Sequence, residues 1–223
     1  MAFAAACYDD CIADLDEQIG KLIDQLDKRG DLEHTWLIIT SDHGESFGEH
    51  PGYFCHGMSL FDTEVHVPLL IIPPGGSETK KTVNEPVSLR DMAATIVDLA
   101  GQKAGSPFPG FSLSRIWNRP STVATAQPPT ASPSLAEVAP DPRKQDEGGS
   151  PRQLFPQAAI KDSEWSYIRR EGDVRERLFH FREDSKEQRD LAVDPSAQTI
   201  LQRKREELEG LTGGPLMPGR LNK

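Results

Sequence analysis

Two short apolar runs, each about as long as one β-strand, constrain the fold of this 223-residue chain most strongly. Residues 35–40 (TWLIIT) and 67–72 (VPLLII) lack the alternation of apolar and polar residues that marks a strand with one face in water. A continuous run is typical of a strand that is covered on both faces, as in a parallel sheet. The sequence therefore predicts two buried strands of a mostly parallel sheet.

Helical patterns stand on either side of these strands. Residues 8–29 place apolar side chains at steps of three and four, and Gly30 follows at the position that a left-handed C-cap prefers. Residues 91–99 repeat the pattern over a shorter stretch, and Gly101 is the stop signal. Helix, buried strand, loop, buried strand and helix, in that order, indicate an α/β protein built as an α/β/α sandwich.

The composition changes sharply near Asn118. Residues 118–153 contain seven prolines and no aromatic residue, so we expect an irregular segment there, with one short strand at residues 135–138 as the exception. The predicted organisation is therefore a main domain over residues 1–117, the proline-rich segment over 118–153, and a small subdomain over 154–223.

The last part of the chain carries its own strand and helix signals. Residues 158–160, 165–169 and 177–181 alternate in the manner of strands and predict a small antiparallel sheet. A terminal helix is predicted to begin at Ser196, acting as the N-cap, and to end before Gly213. This subdomain is expected to fold as a hairpin sheet covered by that helix.

Charge and cysteine content exclude several classes of protein. The formal net charge of −10 argues against a nucleic-acid binder, which needs a basic face. No apolar run approaches the ~20 residues of a membrane span, and the first residues lack the basic region of a signal peptide. The cellular compartment stays open. The three cysteines have no zinc-like spacing, so no disulfide framework is inferred.

Chemistry-bearing residues concentrate directly after the first apolar run. Asp42 and His43 stand at the carboxyl end of that strand, where open α/β sheets place their ligand sites. A carboxylate beside an imidazole offers oxygen and nitrogen ligands to a divalent cation, and Gly44 allows the backbone to turn sharply. The alternative is a structural Asp cap next to surface histidines, and the local pattern alone does not decide between them.

The order of motifs along the chain resembles the second half of a sulfatase, a family within the alkaline-phosphatase-like superfamily. The motifs that carry the resemblance are residues 41–45 (SDHGE), His56-Gly57 and residues 64–69 (EVHVPL). Residues 89–101 resemble the family's L-x-D-x-x-P-T helix, with Ala94 where proline is frequent. The resemblance covers most of residues 8–117 and 158–211.

This resemblance implies roles for three residues. Asp42 and His43 match the family's second pair of metal ligands, and His56 matches a catalytic histidine that points at the sulfate or phosphate group. The implied cofactor is a divalent metal ion, with Ca²⁺ as the first expectation and Mn²⁺ or Zn²⁺ as alternatives. The implied partner is a small-molecule or carbohydrate sulfate ester. Glu45 and His50 are expected to shape the loop, and Cys55 to be a packed free thiol.

One departure from the family pattern limits the expected activity. Sulfatases carry a C-x-P-S-R motif whose Cys or Ser becomes the formylglycine nucleophile, and none of the three cysteines here has that context. We therefore expect the carboxyl-terminal portion of a sulfate-ester hydrolase, with a partial sandwich, that is inactive alone. Two alternatives stay open: a phosphoryl or phosphonate-ester hydrolase or transferase of the same superfamily, and a non-catalytic fragment or pseudoenzyme.

Overall fold

A computed structural model describes residues 2–77, 81–102, 108–117, 133–139, 155–171 and 175–213. The chain divides into two compact units, Met1–Thr82 and Val83–Lys223. Helices and strands occur together in both units, which confirms the predicted α/β class. Within the predicted proline-rich segment only residues 133–139 are described, and the rest of that prediction lies outside the described residues. The predicted boundaries at residues 117 and 153 remain predictions.

The first unit opens with a long amphipathic helix, α1 (Ala2–Lys28). It begins before the predicted start because residues 2–7 are mostly alanine, the best helix former. Gly30 adopts a left-handed φ of 76°, and its N–H donates to the carbonyl of Asp27 at 2.8 Å, as the C-cap prediction requires. A 3₁₀ turn (Asp31–His34) then leads into the sheet.

The two apolar runs form strands β1 (Leu37–Thr40) and β2 (Leu69–Ile72), with the short helix α2 (Asp62–Val65) between them. The strands pair antiparallel, with Leu37 opposite Ile72 and Thr40 opposite Leu69. The mostly parallel sheet is therefore not confirmed among the described residues. The prediction that both faces of these two strands are covered is also wrong: none of the eight residues of β1 and β2 is fully buried, and Leu70 is 51% exposed. A continuous apolar run carries no information about the direction of the neighbouring strand.

The second unit begins with a 3₁₀ turn (Leu89–Asp91), helix α3 (Met92–Leu99) and helix α4 (Ser114–Trp117). A four-stranded antiparallel sheet follows in the order β3-β4-β5-β6. Its last three strands correspond to the antiparallel sheet predicted for the small subdomain. The first is the short strand predicted within the proline-rich segment, and it pairs with β4. Its strands are β3 (Ser134–Val138), β4 (Gln157–Lys161), β5 (Trp165–Arg170) and β6 (Arg175–His180).

The predicted terminal helix is present as a 3₁₀ turn (Pro195–Ala197) followed by α5 (Gln198–Thr212). The predicted N-cap was wrong by two residues. The carboxylate of Asp194 accepts from the backbone N–H of Ser196 at 2.9 Å, so Asp194 is the cap and Ser196 is inside the first turn. Both residue types are good caps, and the following Pro195 favours the earlier one because proline suits the first helical position.

The core of the second unit lies between the sheet and α5. Leu201 and Leu208 of α5 pack in one cluster with Ile160, Tyr167 and Leu178 of the sheet, and each of these five side chains is at most 1% exposed. The opposite face of the sheet is also buried, since Ala159, Ile168 and Phe179 are at most 5% exposed. Successive residues of a strand point to opposite faces, so these three side chains lie on the face away from the α5 cluster.

Charged groups at the edge of this core form two clusters. The ammonium of Lys204, whose side chain is 2% exposed, contacts the carboxylates of Asp162 at 2.5 Å and Glu207 at 2.6 Å. The hydroxyl of buried Tyr167 donates to Glu176 at 2.6 Å, and Arg205 binds both oxygens of the same carboxylate. The Arg205 guanidinium holds the pKa of Glu176 below its usual value against the opposing effect of burial.

Among the described residues, no helix combines the length and the apolar character that crossing a membrane would require.

Candidate functional site

Asp42 and His43 lie just past the end of β1, where their side chains come close together. The Asp42 Oδ2 and His43 Nε2 atoms are 3.6 Å apart, and 85% of the Asp42 side chain is exposed. The backbone N–H of His43 donates to Asp42 Oδ1 at 3.0 Å, and this hydrogen bond is the main reason that the pKa of Asp42 is lowered. Asp42 is therefore ionised at neutral pH.

The ring of His43 is held by the backbone of the next residue. Its Nδ1 lies 2.9 Å from the carbonyl oxygen of Gly44. A carbonyl oxygen only accepts hydrogen bonds, so Nδ1 carries the proton and Nε2 keeps its lone pair in the neutral ring. A hydrogen bond from one ring nitrogen to a backbone carbonyl is the usual way in which a metal-binding histidine is oriented.

His56 reaches the same place from the following loop. Its ring centroid lies 4.3 Å from that of His43, with 31° between the ring planes. Its Nδ1 atom lies 3.0 Å from the Oε2 atom of Glu45, which orients the ring because a carboxylate can only accept. The structure thus brings together the three residues that the sequence singled out. Their roles remain predictions.

A single backbone bridge explains why Glu45 and His56 meet. The N–H of Ser46 donates to the carbonyl of Cys55 at 3.0 Å, and the N–H of Cys55 donates back at 2.9 Å. Pairing of these two residues places their chain neighbours, Glu45 and His56, side by side. Cys55 adopts a positive φ of 69°, which sequence reasoning had no signal to anticipate.

Two other residues of this loop, His50 and Cys55, were also given expected roles. The buried ring of His50 stacks on Phe61 with centroids 3.6 Å apart, which agrees with the expected role in loop architecture. The thiol of Cys55 is exposed rather than packed, so that expectation was wrong. It lines an open cavity of about 310 Å³ together with His56 and the aromatic rings of Tyr8, Phe47 and Phe54.

The Asp42–His43 pair suits two ligands of one cation. Ligands that each lie about 2.0–2.6 Å from a divalent ion are about 3–3.7 Å from each other, and the observed separation of 3.6 Å falls in that range. Among the described residues, no group of three or more His, Cys, Asp or Glu side chains could hold a metal ion. A cation at this pair would therefore need further ligands.

Comparisons with known proteins point to one family. Residues 4–102 match the family model described as Sulfatase. Arylsulfatase K of Danio rerio is 37% identical over 123 residues, which cover 55% of this chain. The choline-sulfatase of Rhizobium meliloti is 30% identical over 190 residues, which cover 82% of this chain.

A solved structure shares the fold over nearly the whole chain. The phosphonate monoester hydrolase of Silicibacter pomeroyi is 26% identical with a TM-score of 0.68, and the match covers 93% of this chain and 40% of that chain. The matched segments are a minor part of each relative. The chain spans 23% of the arylsulfatase K and 32% of the choline-sulfatase.

Proposed function

Because the chain belongs to the sulfatase family, we propose that its residues form part of a site for the hydrolysis of sulfate esters. The main support for this proposal is that Asp42, His43 and His56 lie close together beyond the end of β1, with the centroids of the two histidine rings 4.3 Å apart. The substrate class proposed is a small-molecule or carbohydrate sulfate ester. A small-molecule ester is favoured by the similarity to a protein named choline-sulfatase over 82% of this chain.

Asp42 and His43 are proposed to hold a divalent cation. Their separation and the ionised state of Asp42 suit a hard ion such as Ca²⁺, whereas the imidazole nitrogen also accepts Mn²⁺ or Zn²⁺. The cation, when bound, supplies Lewis-acid polarisation of an ester oxygen. The contribution of this chain is to fix one carboxylate and one imidazole nitrogen beside each other.

His56 is proposed as the residue that meets the sulfate group. Its Nδ1 is engaged by Glu45, so Nε2 is the ring atom left to donate to a sulfate oxygen or to pass a proton to the leaving group. The Glu45 carboxylate fixes the orientation of the ring and so the direction in which Nε2 points. The 223 residues contain no Pro-Ser-Arg run, and therefore neither the Cys nor the Ser form of the motif that carries the family's nucleophile.

A chimeric enzyme tests this proposal directly. Residues of this chain would replace the matching segment of the Rhizobium meliloti choline-sulfatase, and hydrolysis of an aryl sulfate and of choline sulfate would be measured. We expect activity that falls at least about 100-fold in the Asp42→Asn and His56→Gln variants. Two control variants, Asp24→Asn and His34→Gln, change the same residue types at exposed positions away from the site and should leave the rate unchanged.

A second candidate function is hydrolysis of a phosphate or phosphonate ester. It is favoured by the similarity to the phosphonate monoester hydrolase and by the nitrogen ligand that His43 places beside Asp42. The ratio of kcat/KM for an aryl phosphonate to that for an aryl sulfate, measured on the same chimera, separates the two functions. Equal activity of the chimera with and without the Asp42 carboxylate would instead support a non-catalytic fragment.

A further inference from the structure

A buried carboxylate lies underneath the loop that carries the proposed site. Glu64, in helix α2, is 4% exposed, although glutamate is rarely buried without partners. Its partners are all on the loop. Glu64 Oε1 accepts from the hydroxyls of Ser46, at 3.1 Å, and of Ser59. Glu64 Oε2 accepts from the backbone N–H groups of Met58 at 3.3 Å and of Ser59 at 3.4 Å.

The backbone of Glu64 adds a contact at the start of the loop. The carbonyl oxygen of Glu64 accepts from the N–H of Gly44 at 2.8 Å. A Cβ atom on Gly44 would lie 2.2 Å from the carbonyl oxygen of Thr63, so only glycine allows this approach. Glu64 therefore accepts hydrogen bonds from both ends of the loop. Gly44 and Ser46 are the donors at one end, and Met58 and Ser59 are the donors at the other.

These attachment points lie next to the proposed site residues. Gly44 directly follows His43, and Met58 lies two residues after His56. We propose that Glu64 is a positioning residue that keeps the rings of His43 and His56 close together by linking the two ends of their loop through hydrogen bonds. This inference rests on the proposed function for its purpose, but the geometry that it predicts can be measured without any activity.

Two variants of Glu64 differ in the hydrogen bonds that they can still form with the loop. Glu64→Met keeps much of the side-chain length and removes all four side-chain acceptor contacts. Glu64→Gln is the conservative variant. Its amide oxygen can accept from the two backbone N–H groups while its NH₂ donates to the serine hydroxyls, which can also accept. The matched control is Ile38→Ala, which weakens β1 and leaves every contact of Glu64 in place.

The measurement is nuclear magnetic resonance of the 223-residue chain. Rings whose centroids lie 4.3 Å apart give a nuclear Overhauser effect between the His43 and His56 protons. We expect this effect in the wild type, the Glu64→Gln variant and the Ile38→Ala variant, and its loss in the Glu64→Met variant. Amide exchange of residues 44–59 should be about tenfold faster in the Met variant, while exchange in α1 is unchanged.

Where Glu64→Met does not fold, the Ser46→Ala/Ser59→Ala double variant takes its place, since it removes both hydroxyl donors and keeps the buried carboxylate. Persistence of the His43–His56 effect together with unchanged loop exchange, in Glu64→Met or in this double variant, would overturn the positioning role. The proposed function fails separately, if the wild-type chain shows the ring contact but the chimeric enzyme is indifferent to Asp42 and His56.

Discussion

The buried ammonium of Lys204 provides the sharpest prediction about stability. Lys204→Met keeps an apolar stem of similar length against the core of the second unit and removes the charge that Asp162 and Glu207 share. Removing one partner of a fully buried ion pair costs ~3–5 kcal/mol. The side chains of Asp162 and Glu207 are 28% and 32% exposed, so water can solvate what remains. We expect a loss of about 2–3 kcal/mol in the free energy of unfolding at pH 7.

The same cluster predicts how the loss depends on pH. Burial opposes the ionisation of Asp162, but Lys204 and the backbone N–H groups of Glu164 and Trp165 hold the pKa of Asp162 below its usual 3.8. A lowered pKa contributes stability that is present above about pH 3.8 and is lost as the pH falls through the folded-state value. The difference in stability between the wild type and Lys204→Met should therefore shrink when the pH is lowered from 7 to about 3.

Urea unfolding followed by the fluorescence of Trp165 measures this difference. Trp36 and Trp117 are changed to Phe in all variants, so that the signal reports the second unit alone. Lys186→Met is the matched control, because Lys186 is exposed, and its effect should stay within about 0.5 kcal/mol. A loss below about 0.5 kcal/mol for Lys204→Met, or a loss that is the same at both pH values, would show that the contacts of Lys204 with Asp162 and Glu207 do not stabilise the fold.

Two further predictions concern the close approach at Gly44 and the hydrogen bonds of Glu176 with Arg205. Gly44→Ala should destabilise the first unit by about 2–4 kcal/mol, because the new Cβ would lie 2.2 Å from the Thr63 carbonyl oxygen. Gly20→Ala in α1 is the control: its Cβ meets no atom within 4 Å, and it should stabilise the unit by about 1 kcal/mol. Amide exchange in β1 measures both changes in stability, and changes of the same sign would contradict the prediction. Glu176→Gln should cost about 1–2 kcal/mol at pH 7 by weakening the double hydrogen bond from Arg205. Because the pKa of Glu176 is lowered, this cost should fade in urea titrations below about pH 4.5, and a cost that grows on acidification would argue against it.

Local sequence patterns predicted those elements whose signals are local. The left-handed cap at Gly30 and the helix before it follow from side-chain periodicity and from the freedom of glycine. The strands of the second unit were predicted from their local residue pattern, and in the structure one face of the sheet packs on α5 while apolar residues on the other face are buried as well. The pairing of β1 and β2 is different. Their apolar runs predicted covered strands of a parallel sheet, whereas the two strands are half-buried or exposed and pair antiparallel. Neither the direction nor the coverage of a strand has a local signal in such a run.

In the candidate site, too, some contacts could be predicted from the local sequence and others depend on the fold. Asp42 and His43 are sequence neighbours after a strand, so their proximity could be predicted from strand polarity. The contact between Glu45 and His56 depends on the Ser46–Cys55 bridge, which needs a positive φ at a cysteine. Burial of Glu64 was missed because an acidic residue in a polar stretch is usually exposed, and only the fold shows that the loop supplies its donors.

Binding of Mn²⁺ by the 223-residue chain tests whether Asp42 and His43 hold a cation. A paramagnetic ion broadens the amide signals of nearby residues, so the first signals to disappear on titration identify where the ion is held. We expect early broadening at residues 42–44 and at His56. This pattern should be lost in Asp42→Asn and retained in Asp24→Asn, on α1. Broadening that begins on the acidic surface of α1, or that is the same in Asp42→Asn, would contradict the assignment of Asp42 and His43 as the cation-binding pair.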